Sequence, residues 1–114
     1  MKKGLTAEQQ EKFDDLNEKL SNYELSVPVM VADVEFSVLK FDFSRLTGHD
    51  IQKIKGIGAL ENGEIPDEIL MPMIVKAAGI KMPEFLSFPA VDFMAIKIMV
   101  NAFLLLSVAN IVGN

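Results

Sequence analysis

A chain of 114 residues can bury a core as one domain, and without cysteine it cannot form disulfides or thiolate metal sites. Its net charge of −5 and its lack of a basic run argue against nucleic-acid binding, which needs Lys and Arg to neutralise phosphates. Of the 27 charged side chains, 20 fall in residues 1–64, so the second half of the chain predicts a core, an interface or a membrane segment.

The first predicted element is a helix within residues 1–22. Thr6 and Gln9 have the spacing of a capping box, in which each side chain bonds the backbone of the other residue. Phe13, Leu16 and Leu20 recur at intervals of three or four among polar residues, which indicates a narrow apolar stripe. We therefore expect a peripheral helix beside a single α+β domain formed by residues 23–114.

A small β-hairpin is predicted to follow this helix. Residues 27–34 are rich in β-branched side chains, but Pro28 cannot donate to a ladder, so this strand begins there or lies at an edge. Ala32 and Asp33 are candidates for a turn. Residues 35–43 then alternate apolar and polar side chains, which predicts a strand with one buried face.

Two further helices are predicted in the middle of the chain. Thr47 and Asp50 have capping-box spacing and open the first, which a loop over residues 56–64 follows. The second covers residues 65–79, where Pro72 must either kink the helix or mark its true start. Gly79 is suited to end it, since glycine readily adopts the left-handed conformation of a helix C-terminus.

The last predicted helix begins after a short turn at residues 83–86 and a proline at position 89. From residue 93 to residue 112 its only charge is Lys97, and 20 helical residues span about 30 Å, enough to cross a bilayer. On a helical wheel, Lys97 and Asn101 lie on one side, while Asp92 and Asn110 lie nearly opposite. The helix therefore has no polar face, which is typical of a helix buried on all sides or in lipid.

Burial in a soluble fold is favoured over a membrane anchor. Lys97 and Asn101 would be costly in a bilayer, and no Trp or Tyr belt or Lys/Arg cluster flanks the helix. A chain of this length cannot easily surround so long a helix, so we expect a homo-oligomer to complete its burial. Overall the sequence predicts a mostly helical α+β fold with four to five helices and one small antiparallel β-hairpin.

The sequence holds no recognisable catalytic or ligand-binding set. The only histidine, His49, has no nucleophile motif near it, and the carboxylate pairs do not form the regular loop that calcium requires. The glycines near position 56 lack the residues of a phosphate loop. We therefore expect no enzymatic activity, no cofactor and no metal site.

The order of the elements resembles that of a known family. A strand pair is followed by a capped helix at residues 46–50, a helix that ends at residues 77–80, a linker at residues 88–93 and an apolar helix that contains Phe103 and Leu104. Over residues 23–106 this order resembles the small tail assembly chaperones of long-tailed bacteriophages, including the Mu-like group.

The resemblance implies a non-enzymatic protein of the bacterial host cytoplasm, encoded by a phage or prophage. Such a protein self-associates and holds the tape-measure protein soluble while the tail tube polymerises. Methionine is frequent in the apolar half of the chain, and its flexible side chain suits both adaptable binding surfaces and ordinary cores. The predicted protein-binding residues are Met71, Met73, Met94, Phe103 and Leu104.

Two alternatives stay open at this level. Residues 93–112 could anchor a small tail-anchored membrane protein. The chain could also be a structural virion component such as a connector subunit, which would share the oligomer but would be found in purified particles.

Overall fold

The computed structural model of the chain describes residues 5–56 and 63–112. Within these residues the fold is α+β, with five helices and one two-stranded antiparallel hairpin, which confirms the predicted class. The elements are α1 (Ala7–Ser21), β1 (Tyr23–Val31), β2 (Val34–Leu39), α2 (Gly48–Gly56), α3 (Asp67–Ala78), α4 (Met82–Leu86) and α5 (Ala90–Val112). Most of the loop predicted over residues 56–64 lies outside the described residues.

Helix α1 begins with the predicted capping box and packs on α5. The Thr6 hydroxyl accepts from the Gln9 backbone N–H at 3.1 Å, and the Thr6 backbone N–H donates to the Gln9 side chain at 3.0 Å. Leu16 and Leu20 are buried, and the ring of Phe13 stacks on the ring of Phe103 in α5 with centroids 4.7 Å apart. The outer side of α1 is exposed, while its inner side belongs to the same core as the rest of the chain.

The hairpin turns at Ala32 and Asp33, as predicted, and both residues have positive φ (49° and 68°). Two-residue hairpin turns of type I′ need positive φ at both central positions, because their twist then matches that of the strands. Aspartate tolerates this conformation better than alanine does. The turn therefore forms although it lacks the Asn-Gly sequence that favours it most.

A bulge interrupts the pairing of β1 around Pro28. Glu24 pairs with Val38 and Val29 pairs with Phe36, so residues 25–28 of β1 face only residue 37 of β2. Pro28 lies inside this bulge, where its missing N–H costs no ladder bond. The proline therefore neither starts the strand nor shortens it.

Strand β2 ends at Leu39, four residues before the predicted end. Phe41 is buried beyond the strand, and Phe43 begins a short 3-10 helix. The ring of Phe43 stacks on the ring of Phe103, with centroids 4.2 Å apart. The apolar alternation through Phe43 therefore reports burial in the core and not continued pairing in the sheet.

Helices α2 and α3 are joined through Asp50. Its carboxylate accepts from the Thr47 backbone N–H at 2.8 Å and from the Lys76 ammonium of α3 at 2.9 Å. The hydrogen bond from Thr47 and the charge and hydrogen bond of Lys76 hold the pKa of Asp50 below its ordinary value, although burial opposes this shift. Helix α3 ends as predicted at Gly79, whose φ is 70°, and Pro72 lies inside the helix.

The core is built around one side of α5. Ile96, Val100, Leu104 and Val108 on this side are fully buried. α1, α2, α3 and the hairpin all contact α5. The helix begins directly after Pro89, as predicted, because proline fits the start of a helix where no N–H is needed.

Candidate interaction surface on helix α5

The side of α5 that faces away from the core is exposed. The exposed fractions of Val91, Met94 and Ile98 are 64%, 59% and 67%. Of an 18-residue window within the apolar stretch Ala90–Ala109, 33% is buried. The neighbours of α5 within the chain therefore cover only part of its circumference, which agrees with the expectation that a chain of this length cannot surround the helix by itself.

We call this exposed side the α5 apolar face. Its members all lie within an arc of about 100° on a helix with 3.6 residues per turn. All of them are exposed or half-buried, and none carries a polar side chain. The members are Val91, Met94, Ala95, Ile98, Ala102, Leu105 and Ala109.

Asp92, at the start of α5, accepts hydrogen bonds from β1 and its bulge. The Asp92 carboxylate is buried, with 2% exposed, and accepts from the Ser26 hydroxyl at 2.7 Å and the Ser26 backbone N–H at 3.1 Å. The Tyr23 hydroxyl donates to the same carboxylate at 2.9 Å. Burial and this contact with Asp92 raise the pKa of Tyr23 to about 12. The bulge matters here because Ser26 lies in the segment that the β2 ladder leaves unpaired.

The polar side chains in the middle of α5 also have partners within the chain. The Lys97 ammonium lies 2.9 Å from the Asp67 carboxylate at the start of α3. The Asn101 side chain accepts from the Ile65 backbone N–H at 2.8 Å and donates to the Gly63 carbonyl at 3.3 Å. The polar spots predicted on α5 are thus bonded within the protomer, while the side chain of Asn110 lies outside the described residues.

A groove of about 670 Å³ runs between the start of α3 and α5, next to the α5 apolar face. Its apolar lining includes Leu70, Met94 and Ile98, and Asp67 and Lys97 form part of its polar lining. The groove and the face therefore share Met94 and Ile98 and lie side by side.

The five residues predicted to bind a protein do not lie on one surface. Met94 is exposed and belongs to the α5 apolar face, and Met71 is half-buried. Met73, Phe103 and Leu104 are buried, with 3%, 5% and 1% exposed. These three are core residues in this fold, since Phe103 is stacked between two other rings and Leu104 lies on the inner side of α5.

The sequence analysis did not identify the other members of the α5 apolar face. A helix without a polar side gives no direct indication of which apolar side chains face outward. A signal was present in the seven-residue spacing, since alanine recurs at positions 95, 102 and 109, and branched residues recur at 91, 98 and 105. Such a repeat marks one side of a helix even when every side is apolar.

The described residues contain no candidate metal site. Within residues 5–56 and 63–112, no three His, Asp or Glu side chains come close enough together to hold an ion. His49 is exposed near the start of α2. The α5 apolar face is thus the feature of the described fold that most needs a functional explanation.

Comparison with protein-family models, with curated proteins and with solved structures finds no match to the chain. The function proposed below therefore depends on the α5 apolar face and on the sequence resemblance to tail assembly chaperones.

Proposed function

We propose that the protein is a non-enzymatic interaction protein that binds an apolar helix of a client through the α5 apolar face. The observation that carries this proposal is the exposure of Val91, Met94 and Ile98 on a helix that is otherwise part of the core. Contiguous apolar surface of this kind on a soluble protein marks a site of interaction with a protein or a membrane.

The shape of the α5 apolar face suits a helical client. From Val91 to Ala109 the face extends about 27 Å, at 1.5 Å per residue. Binding sites for amphipathic helices are apolar strips of this kind, in which side chains spaced by three, four and seven residues insert. The flexible Met94 side chain can adapt to clients of different sequence, because methionine has three rotatable bonds and no branch.

The resemblance in sequence gives the client an identity. The chain would act as a tail assembly chaperone in the cytoplasm of the bacterial host, and its client would be the tape-measure protein of the same phage. Covering the apolar helices of that client would keep them soluble until the tail tube forms around them. No step of this function requires catalysis or a cofactor.

Co-expression with the tape-measure protein encoded in the same phage genome tests this proposal. Ile98→Glu places a charge in the middle of the α5 apolar face, and Val27→Glu places the same charge on the β1 bulge. The two positions are matched, because both hold exposed β-branched residues, with exposed fractions of 67% and 53%.

The expected result is that the wild-type chain and Val27→Glu both raise the soluble yield of the tape-measure protein, whereas Ile98→Glu does not. Equal yields with Ile98→Glu and with the wild-type chain would show that the α5 apolar face is not the client site. No gain with the wild-type chain, or a genome without tail genes, would reject the chaperone assignment itself. Recovery of the chain in purified particles would favour the virion component.

A membrane anchor is the second candidate, since Ala90–Ala109 is long and apolar enough to span a bilayer, with a mean hydropathy of 1.9. Insertion of α5 would separate Asp92, Lys97 and Asn101 from the partners described above, and polar groups without partners are costly in hydrocarbon. The same helix also supplies the core for α1 and α3. Cell fractionation decides between the two: recovery in the membrane pellet, released only by detergent, would favour the anchor.

A further inference from the structure

The α5 apolar face contains a seven-residue repeat in which branched residues and alanines alternate. Val91, Ala95, Ile98, Ala102, Leu105 and Ala109 follow one another at steps of four and three, which is the spacing of a coiled-coil seam. The branched residues occupy one of the two seam positions throughout, and alanine occupies the other throughout. All six residues are uncharged; Val91 and Ile98 are exposed, whereas Ala95, Ala102, Leu105 and Ala109 are half-buried.

This repeat is complementary to itself when a second copy of α5 runs antiparallel. With the two-fold axis at residue 100, Val91 meets Ala109 of the second copy, and Ala95 meets Leu105 of the second copy. Ile98 likewise meets Ala102 of the second copy. Each layer then joins one branched side chain to one alanine, so the layers have similar volumes and the helices can keep one separation along the seam.

A parallel pair lacks this property. In register, layers of two alanines would alternate with layers of two branched residues, and the two kinds of layer favour different distances between the helix axes. Parallel helix dipoles also repel at their like-charged ends, whereas antiparallel dipoles attract. The size pattern and the electrostatics therefore favour the same orientation.

We propose that the free protein forms an antiparallel homodimer through α5, symmetric about residue 100. A seam about 27 Å long on a helix about 10 Å wide gives each chain on the order of 300 Å² of contact surface. About 600 Å² in total is below the roughly 1,200 Å² of a standard stable interface, so the dimer dissociates readily. The homodimer covers the same face as the proposed client, but its formation does not require that client.

The absence of cysteine from the chain makes crosslinking a direct test, because any thiol introduced is unique. Val91→Cys and Ala109→Cys are each made separately, and one of them carries a tag that shifts its mass. In the antiparallel dimer these two positions face each other. Two copies of the same position lie about 27 Å apart, beyond the reach of a disulfide or a short thiol crosslinker.

The expected result is a covalent dimer in the mixture of the two variants and none with either variant alone. Adding Ile98→Glu to both variants should slow this crosslinking at least tenfold, whereas adding Val27→Glu should leave it unchanged. Crosslinking of Val91→Cys with itself would establish a parallel pair and overturn the proposal. A mixture of the two variants that forms no crosslink would also overturn the proposal.

The outcomes are separate from those of the client experiment. A failed crosslink with retained solubilisation of the tape-measure protein would reject the homodimer alone. A positive crosslink without solubilisation would reject the client alone.

Discussion

The contact of Asp92 with the β1 bulge gives a quantitative prediction. Asp92→Ala removes the acceptor for three donors, namely the Ser26 hydroxyl, the Ser26 backbone N–H and the Tyr23 hydroxyl. Hydrogen bonds to a charged group contribute about 1.5–3 kcal/mol each, but part of this is recovered because Ser26 lies near solvent. We expect a loss of about 3 kcal/mol in the free energy of unfolding, which at about 4 °C per kcal/mol lowers Tm by roughly 12 °C.

Thermal and urea unfolding of four variants measures this loss. Tyr23→Phe removes one donor and should cost about 1 kcal/mol. The double variant should cost about 1 kcal/mol less than the two single losses together, because both remove the same bond. Asp15→Ala is the control, since Asp15 pairs with Lys19 at 3.1 Å on the exposed side of α1 and should cost less than about 0.5 kcal/mol. If Asp92→Ala costs no more than Asp15→Ala, the contact does not hold the hairpin to α5.

Three further predictions concern local features. Gly79→Ala should lower the free energy of unfolding by about 1–2 kcal/mol, because φ at this position is 70° and a Cβ atom there would overlap the Arg45 guanidinium. A variant as stable as the wild type would contradict this. The Thr47 N–H lowers the pKa of Asp50, so the stability that Asp50 contributes is present above about pH 4 and is lost as the pH falls through the lowered folded pKa. The Tm of the wild type should thus exceed that of Asp50→Asn at pH 7, and this difference should shrink in acid. Tyr23 is the only tyrosine, so ultraviolet titration of the folded protein should show its pKa at about 12. The stability that the neutral Tyr23 side chain contributes is present below about pH 10 and is lost as the pH rises to about 12. A midpoint near pH 10 in the folded protein would contradict the contact with Asp92.

The sequence predicted the features of the fold that depend on nearby residues. Thr6 and Gln9 form both hydrogen bonds of the predicted capping box, and the Thr47 backbone N–H donates to the Asp50 carboxylate three positions further on. Gly79 and Pro89 act at helix ends through their own backbone properties. Short-range rules suffice at these positions, because no distant residue is needed to satisfy the backbone there.

Features that depend on distant residues were predicted poorly. The bulge of β1 offers the Ser26 N–H to Asp92, which lies 66 positions further along the chain. Phe103 is buried because Phe13 and Phe43 stack on it from two other elements. No local pattern around Phe103 reveals these neighbours, so a residue predicted to bind a partner is a core residue instead.

The exposed side of α5 is an intermediate case. Its apolar character was evident from the sequence, but which side faces the core depends on where α1 and α3 pack. The seven-residue spacing of Ala95, Ala102 and Ala109 would have marked a possible seam without any structure. The structure adds that this seam faces outward, and this position converts a pattern of residues into a candidate interface.

The central claim is that one side of α5 belongs to the core of the chain and that its outer face binds α5 of a second copy. Sedimentation equilibrium of the wild-type chain, purified without detergent and measured over a wide range of concentrations, tests it most directly. The account predicts a reversible rise in average mass from 12.6 kDa toward twice that value as the concentration increases. A constant mass of 12.6 kDa at every concentration, or a chain that stays in solution only with detergent, would contradict it.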